Sequence, residues 1–166
     1  MRGGAAWHGR DDWGWGVLHE AAVSGCQQVI SWTFSRSVSG KNDRDKLGRT
    51  PLLAALMAGV GVEAVQELLL QGADPLLGDS VGRTCAEAAV LYCSPATARV
   101  VLDYCVNQEM EIDRELLMEL AEDNQDMVDT IKSCCNLIYI KQAFLEPCLK
   151  SLSTVHTLLK DIHTNK

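Results

Sequence analysis

Apolar residues recur along this chain at three- and four-residue steps, the spacing of one face of a helix. Val65, Leu68 and Leu69 mark one such face. Val29, Trp32 and Phe34 play a similar part earlier in the chain, and Val100, Val101 and Tyr104 later. Over residues 115–131, Leu116, Leu117, Leu120, Ala121, Met127, Val128 and Ile131 keep the helical spacing. Residues 137–145 and 147–163 read as two further helices divided at Pro147, where the chain cannot continue a helix undisturbed. The second carries an apolar stripe of Leu149, Leu152, Val155, Leu159 and Ile162. The first ten residues contain Gly3, Gly4 and Gly9 and read as a flexible segment.

The helical blocks repeat. Asp11, Asp45 and Asp79 stand 34 residues apart, and so do Gly14, Gly48 and Gly82. Thr50 coincides with Thr84, where the first copy has Gly16. Leu18, Leu52 and Ala86 share a column, as do Ala21, Ala55 and Ala89. The residue types have local roles. A Thr hydroxyl caps a helix by accepting one of its orphan N–H groups. Pro51 loses nothing at a first helical position, because that N–H has no intrahelical partner. Paired alanines let helices approach closely. Gly72 ends its helix with a positive φ, and Asp74-Pro75 turns the chain into an extended finger. One such unit cannot bury its apolar faces alone, and stacking several makes a continuous core.

Over residues 11–108 this pattern resembles the ankyrin repeat. The residues that carry the resemblance are Thr50-Pro51-Leu52, Leu18-His19-x-Ala21-Ala22 and Gly72-Ala73-Asp74-Pro75, with a weaker trace to residue 131. Gly16-Val17 in the first copy and Cys85-Ala86-Glu87 in the third depart from the family's pattern. In the second copy the residue that lengthens the period is placed in Ala58–Glu63, between the two helices. The resemblance implies an all-α fold, an ankyrin-type helix-turn-helix solenoid with β-hairpin-like finger loops and C-terminal capping helices. The expected division is a flexible segment at 1–10, repeats at 11–44, 45–78 and 79–112, a degenerate cap at 113–131, and a helical extension at 132–166.

Composition narrows the function. The 166 residues are 47% hydrophobic, enough for a core, and suit one domain or one short array. No apolar run is long enough to span a membrane, and the N-terminus lacks the apolar segment of a signal peptide. The seven cysteines are odd in number and form no C-x-x-C pair, so reduced intracellular thiols are expected, in cytoplasm or nucleus. The net charge is −7. Residues 109–131 hold nine acidic side chains against Arg114 alone. No basic stripe exists, so nucleic acid is not an expected partner.

Candidate chemistry is sparse. His19 matches a family position that bonds to backbone between repeats. His8 with His19, and His156 with His163, lack the further ligands of a zinc site. Adjacent Cys134 and Cys135 suit neither tetrahedral zinc nor an unstrained disulfide, and Lys132 is the nearest cation in sequence for activating a thiol. No phosphate-binding loop or nucleophile elbow is present. No enzyme activity, metal or cofactor is therefore expected.

The expected function is binding of another protein through the concave surface of fingertips and inner helices. Projecting the columns gives Trp13, Trp15, Glu20, Ser24, Lys46, Arg49, Met57, Arg83, Leu91 and Tyr92 as candidate contacts, with Ala58 and Ser80 beside them. Trp15 falls in the column of Arg49 and Arg83 and is expected to point outward; for Trp13, in the column of Leu47 and Val81, packing of the finger is the alternative to a contact role. Two alternatives remain. Asp11, Asp12, Glu115, Glu119, Glu122, Asp123 and Asp126 would read a basic peptide tail. The C-terminal helices would assemble a scaffold or homo-oligomer through Leu149, Leu152, Val155 and Leu159.

Overall fold

The computed structural model describes residues 9–36, 40–110 and 112–140. Among these, eight helices and no strand are found: α1 (Val17–Val23), α2 (Gln27–Arg36), α3 (Pro51–Met57), α4 (Val62–Leu70), α5 (Cys85–Tyr92), α6 (Pro95–Asn107), α7 (Arg114–Leu120) and α8 (Gln125–Ile140). They form four antiparallel pairs. The first helices stack in one row, α1 on α3 on α5 on α7, and the second helices in another, α2 on α4 on α6 on α8. This is an all-α array of the ankyrin type.

The local signals act as their chemistry requires. The Thr50 hydroxyl accepts the Leu53 N–H at 3.2 Å, and Thr84 accepts that of Glu87 at 3.3 Å. Gly16 has no hydroxyl, and there the His19 ring reaches back, its Nδ1 accepting the Gly16 N–H at 3.3 Å. At the end of α4, Gly72 takes φ +84°. The Ala73 and Gly72 N–H groups then close on the Leu68 and Leu69 carbonyls, the 6→1 and 5→2 bonds of a Schellman end.

The core is one continuous cluster between the two rows. Leu52, Leu53, Leu56, Leu68, Leu102 and Ile131 have no solvent contact, and Ala22, Ala55 and Ala89 are equally enclosed, so the backbones pack closely at the small residues. The expected faces of α2 and α6 need correction. In α2 the buried stripe is Ile30, Thr33 and Phe34, while Val29 and Trp32 are exposed. Thr33 tolerates burial because its hydroxyl donates to the Val29 carbonyl at 2.7 Å. In α6 the buried stripe is Val101, Leu102 and Cys105, with Val100 and Tyr104 at its margin.

The last pair extends past residue 131, the end expected for the degenerate cap. α8 runs through residue 131 unbroken, and Cys134 and Cys135 beyond it are core residues. Residues 113–140 are therefore a fourth helix pair. The helix expected at 147–163, with its stripe, lies outside the described residues, as does the N-terminal segment up to residue 8. Among the described residues no helix is long and apolar enough to cross a membrane.

Candidate interaction surface

Each finger is built on one aspartate. Asp11 Oδ1 accepts the N–H groups of Trp13 and Trp15, both at 2.8 Å. Asp45 does the same for Leu47 and Arg49 at 2.9 and 2.8 Å, and Asp79 for Val81 and Arg83 at 3.0 and 2.9 Å. The glycine three residues on closes the turn onto the aspartate's own carbonyl, at 2.9, 2.9 and 3.0 Å, with φ of +81°, +78° and +90°. These values lie in the left-handed region that favours glycine. At Gly48 space is also short: a Cβ there would stand 2.7 Å from the Ser80 nitrogen. The aspartate at position one and the glycine at position four are thus one turn, made three times.

The first two fingers are locked together by Trp15. Its indole N–H donates to Asp45 Oδ2 at 2.9 Å, its ring stacks on His19 at 5.8 Å between centroids, and the Arg49 guanidinium lies over it at 5.5 Å. Arg49 also pairs with Asp45 at 2.6 Å. His19 Nε2 meets the Arg49 carbonyl at 3.0 Å, so this histidine bridges repeats through backbone. Burial pushes the Asp45 carboxyl up, but the bonds from Arg49 and Trp15 outweigh it and hold the group below its ordinary value.

Trp15 therefore departs from the outward place expected for it, while Trp13 faces solvent. Trp15 is half-buried and fully engaged, because Asp45 of the next finger draws its indole N–H inward. Trp13 is 67% exposed. Leu47 and Val81, in the same column, are exposed too, Val81 at 86%. Leu47 and Val81, two of the three fingertips in this column, are not among the candidate contacts. The signal lay in the column itself, which the aspartate turn turns outward.

Other candidate contacts scatter in character. Glu20, Ser24 and Lys46 are exposed, and Met57 is half-buried against the core. Arg83 donates to the Tyr92 hydroxyl at 3.0 Å and lies over its ring at 5.7 Å. Leu91 and Tyr92 at the end of α5 are exposed. The acidic candidates fall into two groups. Asp11 and Asp12 stand on the first finger, while Glu115, Glu119, Glu122, Asp123 and Asp126 stand on the last described helix pair, on α7, the turn after it and the start of α8. Glu119, Glu122 and Asp123 share a groove of about 240 Å³ with Val90, Leu91 and Leu120.

Five cysteines are held protonated by their surroundings. Burial pushes the Cys93 and Cys105 thiols up to about 11, and Cys134 up to about 12 with help from Asp103. Cys85 and Cys135 move the same way from burial. Thiols held protonated are poor nucleophiles and poor ligands. Among the described residues no three metal-binding side chains gather.

The family model of the ankyrin repeat matches residues 47–80, from the tip of the second finger through α3 and α4 to the start of the third. No curated protein matches the chain.

Proposed function

We propose, from the premise that this chain carries an ankyrin repeat at 47–80 within an ankyrin-type array, that it is a non-catalytic module binding another protein on its finger and inner-helix face. The observation that carries this reading is the exposed apolar column Trp13, Leu47 and Val81. The aspartate of each finger is occupied in holding its turn, so the tips are presented on a hydrogen-bonded frame. Exposed apolar surface in register on such a frame favours a protein partner over a small solute. Leu91 and Tyr92 extend the surface onto α5.

The test is capture from a native lysate by the full chain, with and without Trp13→Ala combined with Tyr92→Ala. The variant loses the specific partner while its melting temperature stays within about 3 °C. Unchanged capture removes this face from the function.

A second reading draws on the 240 Å³ groove, where Leu91 and Leu120 lie beside Glu119, Glu122 and Asp123. A Lys or Arg of a basic tail would lay its stem on the leucines and its charge among the carboxylates. Affinity that drops steeply between low and physiological salt supports this reading over the apolar fingertips, and salt-independent binding removes it.

A further inference from the structure

The fingers form a ladder that stops one rung short. Lys46 donates its N–H to the Trp13 carbonyl at 2.9 Å, and Ser80 donates to the Leu47 carbonyl at 2.9 Å. The same position in the third finger is Val81, whose carbonyl meets no donor among the described residues. A fourth finger would supply one from position 114. Asp113 instead caps α7, accepting the Leu116 N–H at 3.0 Å, and Arg114 is already helical. The chain enters its helix at the place where the earlier copies are still making the turn.

Beside the place of the missing finger, between the starts of α5 and α7 and the loop before α7, lies a cavity. It measures about 390 Å³ and is lined by Leu76, Ala86, Glu87, Met110, Ile112 and Leu117, among others. Glu87 falls in the column of His19, the side chain that in the first copy bonds to the backbone of the following finger. Among the described residues the Glu87 carboxylate accepts only the Thr84 hydroxyl, at 3.0 Å.

We propose that this open edge binds an extended segment of a partner protein in the place of a fourth finger. Its backbone N–H donates to the Val81 carbonyl, continuing the pairing already present between fingers one, two and three. One bulky apolar side chain of the segment fills the cavity between Leu76, Met110 and Leu117. An N–H or cationic group beside it meets the Glu87 carboxylate. A helical partner would not serve, because its interior N–H groups are already bonded. The mode is addition of an extended peptide to an open backbone edge. The site shares Val81 with the fingertip column, so the test turns on Leu76, which lies outside that column.

The probe is the chain's own second finger as a synthetic peptide, residues 40–52, joined end to end so that its turn is held. It carries the Lys46 N–H that pairs with a finger carbonyl inside the protein. Titrated into the ¹⁵N-labelled full chain, it should shift the amide signals of Val81, Gly82, Glu87, Met110 and Leu117. Leu76→Glu, at a position 57% exposed and so harmless to folding, should weaken binding about tenfold, a loss of ~1.4 kcal/mol. Trp13→Ala should leave it unchanged. Absence of shifts at millimolar peptide overturns the proposal. So do shifts confined to Trp13, Glu20 and Tyr92, or affinity indifferent to Leu76→Glu. Shifts that arise without peptide as the protein is concentrated would assign the edge to a second copy of the chain, and would equally overturn it.

Discussion

The middle repeat packs α3 between α1 and α5, and its finger is bonded on both sides, through Lys46 to Trp13 and through Leu47 to Ser80. The last pair packs α7 on α5 and α8 on α6 in the same manner, yet enters its first helix straight from Asp113, with no turn between. Helix pairing and finger formation are thus separable. The pairing needs only apolar stripes that meet, which residues 115–131 keep with no glycine and no Thr at a helix start. The finger needs an aspartate and, three residues on, a glycine able to take positive φ, and the stretch after Asp113 has Leu116 in the glycine's place.

That comparison breaks most visibly in the core. Leu53→Ala, in the fully enclosed centre of α3, is expected to cost about 3–4 kcal/mol in urea unfolding. Leu117→Ala, almost as buried but with a neighbouring repeat on one side only among the described residues, is expected to cost about 2 kcal/mol. Equal losses would show the end pair to be as deeply integrated as the middle one.

The aspartates come next. Asp45→Ala removes an acceptor of bonds from Leu47, Arg49 and Trp15, and about 2–3 kcal/mol should go with it. Asp113→Ala removes one cap and should cost about 1 kcal/mol. Acid sharpens the point. The folded-state pKa of Asp45 is lowered, so the unfolded chain binds its proton more readily. The stabilisation is fully present above about pH 4, the ordinary carboxylate value, and is lost as pH falls through the lower folded value. In Asp45→Asn the fall of melting temperature below pH 4 should be shallower than in the wild type, and an unchanged slope would contradict the assignment.

Smaller effects separate the copies at their helix ends. Glu109 holds φ +57° after α6, where Gly72 holds +84° after α4. Glu109→Gly should therefore add about 1 kcal/mol to thermal stability. Gly16→Thr restores the cap that the first copy lacks, at a site with no atom within 4 Å of the new Cβ. A gain of about 0.5 kcal/mol is expected, and a loss would mean that the His19 ring already fills that role.

Much of this was legible in the residues themselves. The 34-residue spacing of aspartate and glycine, the Thr-Pro helix start and the Gly72 helix end each act through their immediate neighbours, and each is found where its chemistry placed it. The surface was less legible. Trp15 could not be told from Trp13 without Asp45, thirty residues on, which draws one indole inward. Val29 and Trp32 gave a helical stripe as good as that of Ile30, Thr33 and Phe34, and only the position of α4 selects between them. The absent fourth finger was written in the sequence, since the position 34 residues after Gly82 is Leu116, but the apolar stripe of α7 masked its meaning.

Local geometry was therefore determined by the sequence alone: which segments are helices, where they start and stop, and that three of them follow an aspartate turn. Hydrogen bonds across two to five residues need nothing beyond the chain's own neighbourhood. Which face of each helix is buried, which tryptophan faces solvent and which backbone carbonyl stays open were decided only when the repeats stacked. Those outcomes depend on atoms some thirty residues apart in sequence, and no short stretch carries them.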